Sequence, residues 1–184
     1  MNWTVPGTVL VMPRGEAVYI EDRFSAMFLA GGISLSQVSG ITGLEPYAIQ
    51  NWVKRGFLTP PQKKRYSLQQ LCRIITINML KSVLPMEQVC GLLNYINGQL
   101  EDSADDMIDD AALYFLFVRL AASAKELYRA EDRDALLDNA LAEYEEPSPG
   151  AKDRIKLALR IMLTAWLAAR MRQETERMLT TLKT

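Results

Sequence analysis

The chain has no histidine among its 184 residues. That absence removes the usual general base near neutral pH, the Ser-His and Cys-His nucleophile pairs, and the commonest metal ligand. Carboxylate or lysine chemistry stays open, but the expectation is a protein that is not an enzyme and needs no cofactor or metal. Cysteine is nearly missing too, since Cys72 and Cys90 form neither a CxxC pair nor a dense framework. Two such thiols fit a reducing compartment, where they pack as small apolar side chains, so a cytoplasmic location is expected. Long apolar runs are also lacking. The greasiest segment, IKLALRIMLTAWLAAR, is cut by Lys156 and Arg160, and the remaining stretch 161–169 falls far short of the ~20 residues a bilayer requires. The opening MNWTVPGTVLVM has no basic region and no long apolar core of the secretory kind. No membrane partner is expected.

What is present is ordinary globular material, 49% hydrophobic and 23% charged, enough for a core without disulfide or metal staples. The net charge of −1 hides strong segregation. Residues 33–82 carry seven bases and one acid, whereas residues 101–150 carry fourteen acids and four bases. Residues 151–184 turn basic again, with eight bases and three acids. A basic segment beside an acidic one suggests that the first faces a polyanion, although the two could also pair with each other.

Punctuation residues divide the chain into an N-terminal extension with a short helix (1–32), a head (33–98) and a helical C-terminal region (99–184). In the extension, TVLVM and AVYI are strand candidates, and a short helix is expected from Asp22 to Ala30, stopped by Gly31-Gly32. Ser34 can cap a helix over Leu35–Ile41, Thr42-Gly43-Leu44 makes a tight turn, and Pro46 opens a second helix that Gly56 ends. Two short helices joined by such a turn are a helix-turn-helix. Two strand-like pieces follow, Phe57–Thr59 and Arg65–Ser67, around the loop Pro60-Pro61-Gln62-Lys63-Lys64. Proline keeps that loop out of helix, so it reads as a small basic wing. Ser67 with Gln70 is a capping box for a helix to about Ser82, and Pro85 starts another to about Ile96. Beyond it, helices are expected from Ser103 to about Arg129, near Ala130–Tyr144, and from Lys152 to about Leu182.

The order helix, turn, helix, basic wing, helix, helix resembles MerR-type winged-helix regulators. The residues that carry the likeness are LSQVSGITGLEPYAIQNWVKRGFL, KKRYSLQQL and LPMEQVCGLL. Through LEPYAIQNWVKRGFL, KKRYS and YINGQLEDSADDMIDD the chain is also similar to a bacterial family catalogued as domain of unknown function (DUF) number 1836. The first resemblance implies an all-α fold with a MerR-like winged helix-turn-helix head, a small two-stranded wing and a helical C-terminal region. The second implies a transcription factor. The cysteine-rich loop of metal-sensing MerR members is absent, so metal sensing is not implied.

On this reading Tyr47, Gln50, Asn51 and Lys54 face the major groove, because amides match adenine and cations suit guanine. Arg55, Lys63, Lys64 and Arg65 take backbone phosphates, which set affinity and its salt dependence. The expected partner is double-stranded DNA, bound by a homodimer. Ile155, Leu159, Met162, Trp166 and Met178 on the last helix could form the dimer seam or equally pack into the chain's own core. Tyr114, Phe115, Phe117, Tyr128 and Trp166 could line a pocket for an unidentified small-molecule effector, with core packing the competing reading. The aspartates of EDSADDMIDD fit the start of a helix, where the dipole favours negative charge. A divalent-metal enzyme built on Asp105, Asp106, Asp109 and Asp110 is the remaining rival, and a protein-interaction module that keeps the head without DNA is the second reading.

Overall fold

The structure is a computed structural model and describes residues 2–98, 100, 106–123 and 130–183. It is mostly helical. Two three-residue strands, β1 (Asn2–Thr4) and β2 (Val11–Pro13), form an antiparallel hairpin with Trp3 opposite Met12. Those two side chains point inward while their neighbours face solvent, the alternation of a one-sided sheet. The strand expected at TVLVM therefore begins later and is short. The strand expected at AVYI is instead part of a 3-10 helix, Arg14–Tyr19, that runs directly into α1 (Ile20–Met27). Ala17 and Ile20 are buried and Val18 and Tyr19 exposed, a three-residue spacing that suits a helix and not a strand.

Next come α2 (Leu35–Thr42), α3 (Pro46–Lys54), α4 (Leu68–Leu80) and α5 (Met86–Asn97). They are followed by α6 (Asp110–Ala122), α7 (Ala130–Ala140) and α8 (Ala151–Thr180). Ser103, Asp105 and Tyr128 lie outside the described residues. Within them, Asp109 caps α6, its carboxylate accepting from the Ala111 and Ala112 amides at 2.8 and 3.1 Å.

α4 is the central element. Leu71 through Ile77 form an unbroken buried run, as expected of a helix covered on all sides. α2, α5, α6 and α8 all pack on it. The hairpin loop docks there too: Gly7 has φ +74°, and a Cβ on it would sit 2.6 Å from the Ile75 carbonyl oxygen. Only glycine allows that approach. From α4, the Asn78 amide donates to the Gly7 and Thr42 carbonyls at 3.0 and 3.1 Å, joining the hairpin to the end of α2.

The aromatics Tyr114, Phe115, Phe117 and Trp166 are buried and pack as core. Phe24 meets Tyr114 and Phe115 at ring-centroid distances of 5.9 and 5.7 Å, and Trp166 stands edge-on to Phe117 at 6.1 Å. Of the seam candidates, Ile155, Leu159, Met162 and Trp166 are buried within the chain, and only Met178 is exposed. Cys72 is buried and Cys90 half-buried, both as free thiols, and burial pushes each thiol up from its ordinary value. Among the described residues, no helix is long and apolar enough to cross a membrane.

Candidate nucleic-acid interface

Local chemistry fixes the two short helices. Ser34 and Gln37 form a reciprocal box at the start of α2, amide to hydroxyl at 3.3 Å and amide to side-chain oxygen at 2.9 Å. Gly43 ends α2 in the left-handed region at φ +69°. The Ser39 hydroxyl donates to the Leu44 carbonyl, and the Thr42 hydroxyl accepts from the Leu44 amide at 3.2 Å, so the turn is held by side chains. Pro46 then opens α3. The exit of α3 is a Schellman motif: the Phe57 amide donates to the Trp52 carbonyl at 2.9 Å and the Gly56 amide to Val53 at 3.0 Å. Gly56 supplies the required positive φ of +73°.

α3 buries Ile49 and Trp52. Its other face presents Tyr47, Gln50, Asn51 and Lys54, all exposed, Tyr47 at 72%. The Lys81 ammonium lies 5.3 Å from the Trp52 ring centroid and braces the inner face.

The wing differs from expectation. Phe57–Thr59 and Arg65–Ser67 do not pair as strands. Tyr66 instead bridges Ile33, amide to carbonyl in both directions at 2.8 and 3.0 Å. Gln62 and Arg65 close a tight turn, with the Arg65 amide donating to the Gln62 carbonyl at 2.8 Å. The physical reason is the supply of donors. Pro60 and Pro61 have none, and the Gln70 side-chain amide takes the Thr59 and Pro60 carbonyls at 3.0 and 3.1 Å. At the tip, Lys63 and Lys64 both have positive φ, +47° and +62°. A two-residue turn of this mirror-image kind normally uses Asn-Gly, so two lysines there are held against their preference.

Helix and turn share a surface. Leu35, Gln50, Val53, Pro61, Lys64 and Tyr66 line one groove of about 530 Å³. Gln50 and Lys64 thus line the same groove. Lys63 and Arg65 line a larger cleft on the other flank of the turn, and the Arg65 guanidinium donates to the Gly32 carbonyl at 3.3 Å. Arg55 is exposed but engaged, stacked 4.6 Å from the Phe57 ring centroid and 3.8 Å from the Glu87 carboxylate. Lys54, Arg55, Lys63, Lys64 and Arg65 all remain solvent-exposed.

Sequence reasoning missed the support beneath this surface. Arg73 on α4 is buried, contacts both oxygens of Asp110 at 3.3 and 3.5 Å, and donates from Nε to the Phe57 carbonyl at 3.2 Å. One side chain therefore ties the exit of α3 to the start of α6. Burial pushes the Asp110 carboxyl above its ordinary value, against the opposing pull of Arg73. A lone base inside an apolar helical stretch was the available signal, since a buried arginine demands a carboxylate.

The aspartates are used structurally: Asp109 caps α6 and Asp110 pairs with Arg73, although Asp106, Asp109 and Asp110 do line the cleft beside the turn. Among the described residues, no group of three or more His, Cys, Asp or Glu could hold a metal ion.

The comparisons with known proteins fall on the part of the chain that carries this surface. The family model described as Domain of unknown function (DUF1836) matches residues 28–117, which run from the end of α1 into α6. The chain is 31% identical over 86 residues to Uncharacterized protein YkrK of Bacillus subtilis (strain 168), covering 45% of this chain and 37% of that protein. The chain thus spans little more than a third of that relative's length. No solved structure matches.

Proposed function

We propose that the protein is a DNA-binding transcriptional regulator whose head is a helix-turn-helix with a wing of the MerR kind. In this reading α3 enters the major groove and the 62–65 turn sits over the backbone. The observation that carries it is the groove shared by Gln50 and Lys64, which puts an amide suited to a base edge beside a cation suited to a phosphate. The strained turn supports it, because backbone strain tends to be kept where a side chain must be presented. The cations of helix and turn stand exposed, not covered by the acidic segment among the described residues, and this favours DNA over a protein-interaction module.

Replacing Lys63 and Lys64 by Ala tests the reading by fluorescence anisotropy with duplex DNA over a salt series. Losing two phosphate contacts should weaken binding to all sequences alike and make the slope of log K against log salt shallower by about 2. An unchanged affinity and slope would remove the turn from the interface. Failure of the unaltered chain to bind any duplex at low salt would favour the protein-interaction reading.

A further inference from the structure

Where the N-terminal hairpin meets α8, positive charge gathers around two tryptophans. Trp3 on β1 and Trp166 on α8 stand edge to face, with ring centroids 6.5 Å apart. Each ring carries a guanidinium, Arg14 at 5.1 Å from the Trp3 centroid and Arg170 at 4.9 Å from the Trp166 centroid. All four side chains line one cleft of about 520 Å³, together with Glu174 and Arg177. Glu174 is engaged by Arg177 at 2.8 Å. Arg14 and Arg170 have no carboxylate partner among the described residues. A guanidinium stacked on a ring keeps the N–H groups along its edge for an oxyanion. Of the four buried side-chain atoms that lack a partner among the described residues, two belong to this cleft: the Trp3 indole Nε1 and Arg14 Nε. Trp3 is only 7% exposed, so water cannot easily satisfy its donor. A buried donor left unpaired costs free energy, and two in one cleft call for an acceptor that the chain does not supply.

We propose that this cleft is a binding site for a small phosphate monoester. Charge selects the class. Three guanidiniums against one carboxylate leave the walls with a net charge of +2, and a phosphate monoester carries about −1.5 to −2 near pH 7. The placement of the donors favours a tetrahedral group over a planar one. Trp3 and Arg14 belong to the hairpin wall and Arg170 to the α8 wall. Three oxygens on one phosphorus accept from both walls at once, whereas a carboxylate accepts best in its own plane. The volume is that of a small-molecule site, and Val5, Pro6, Met79 and Ala169 give an apolar surface to the organic part of the ligand. Trp3, Arg14, Trp166 and Arg170 all lie outside residues 28–117, so the parts of the chain that the family model does not match build the site. The cleft goes beyond the DNA reading and stands without it, since Lys63 and Lys64 line other clefts.

Titration of the full chain with glycerol 3-phosphate, with no DNA present, tests the site. Two of the chain's three tryptophans line the cleft, so their fluorescence reports occupancy directly. The change should saturate, and neutral glycerol should produce none. Arg170→Gln should weaken binding by roughly tenfold or more. Arg170→Lys should recover only part of that loss, because an ammonium keeps the charge but not the fork. Arg170 is exposed, so both substitutions spare the core, and an unchanged thermal midpoint without ligand checks this. Lys63→Ala with Lys64→Ala should bind the monoester as the unaltered chain does, which separates this site from the DNA reading. Four results would each overturn the proposal: no saturation at millimolar monoester, full binding by Arg170→Gln, equal affinity for succinate, or displacement of the monoester by duplex DNA.

Discussion

Replacing Arg73 by Met should lower the unfolding free energy at neutral pH by about 3 kcal/mol, the lower end of the range for breaking a buried ion pair. The lower end applies because the Asp110 side chain keeps 16% exposure and can recruit some water. The loss is attributed less to the missing attraction than to a carboxylate left in a poorly hydrated place. The sign of the pH dependence follows. Asp110 already has a carboxyl raised above its ordinary value by burial, and removing Arg73 takes away the cation that holds it down. A group whose folded pKa is raised contributes stability below its unfolded value and loses it as pH rises through the folded value. The deficit of the variant should therefore shrink on acidification, beginning above the ordinary carboxyl range, as Asp110 takes a proton. Urea unfolding of both proteins between neutral and mildly acidic pH measures this. A deficit independent of pH would mean that Arg73 acts by packing alone. The same variant frees the Phe57 carbonyl at the exit of α3, so its duplex binding should also weaken.

Exchanging the turn for its preferred sequence, Lys63→Asn with Lys64→Gly, should move two properties in opposite directions. A non-glycine residue in the left-handed region costs roughly 1–2 kcal/mol. Asn tolerates that region and glycine has no Cβ to clash. After allowing for the extra flexibility of glycine in the unfolded chain, a gain of about 1 kcal/mol is expected. Duplex affinity should fall all the same, by roughly one decade for each lost phosphate contact at ~0.1 M salt. Thermal unfolding and anisotropy on the same samples check the pair. A turn that grows more stable while binding is kept would show that the lysines are not there for DNA.

The helices of the head were legible because single residues punctuate them. Ser34, Gly43, Pro46, Gly56 and Ser67 with Gln70 each perform the backbone task their chemistry suggests. The wing was less legible, since a strand-like piece does not name its partner. Tyr66 pairs with Ile33, on the far side of α2 and α3, and not with the nearer Phe57–Thr59. The Arg73–Asp110 pair spans 37 positions, and no local pattern connects its ends. The C-terminal helix was half-legible. Its apolar residues were visible, but which stripe faced inward depended on where α4, α5 and α6 lay. The exposed face of α3 was read correctly because a helix that buries Ile49 and Trp52 has only one side left for Tyr47, Gln50, Asn51 and Lys54.

The account rests on α3 and the 62–65 turn acting as one surface toward duplex DNA. Backbone amide shifts of the isotopically labelled chain, followed while a short duplex is added, test it most directly. The account predicts that the largest changes fall together on Tyr47–Lys54 and on Gln62–Arg65, and saturate at one duplex concentration. Changes confined to one of the two segments, or placed on the acidic half with neither affected, would contradict it.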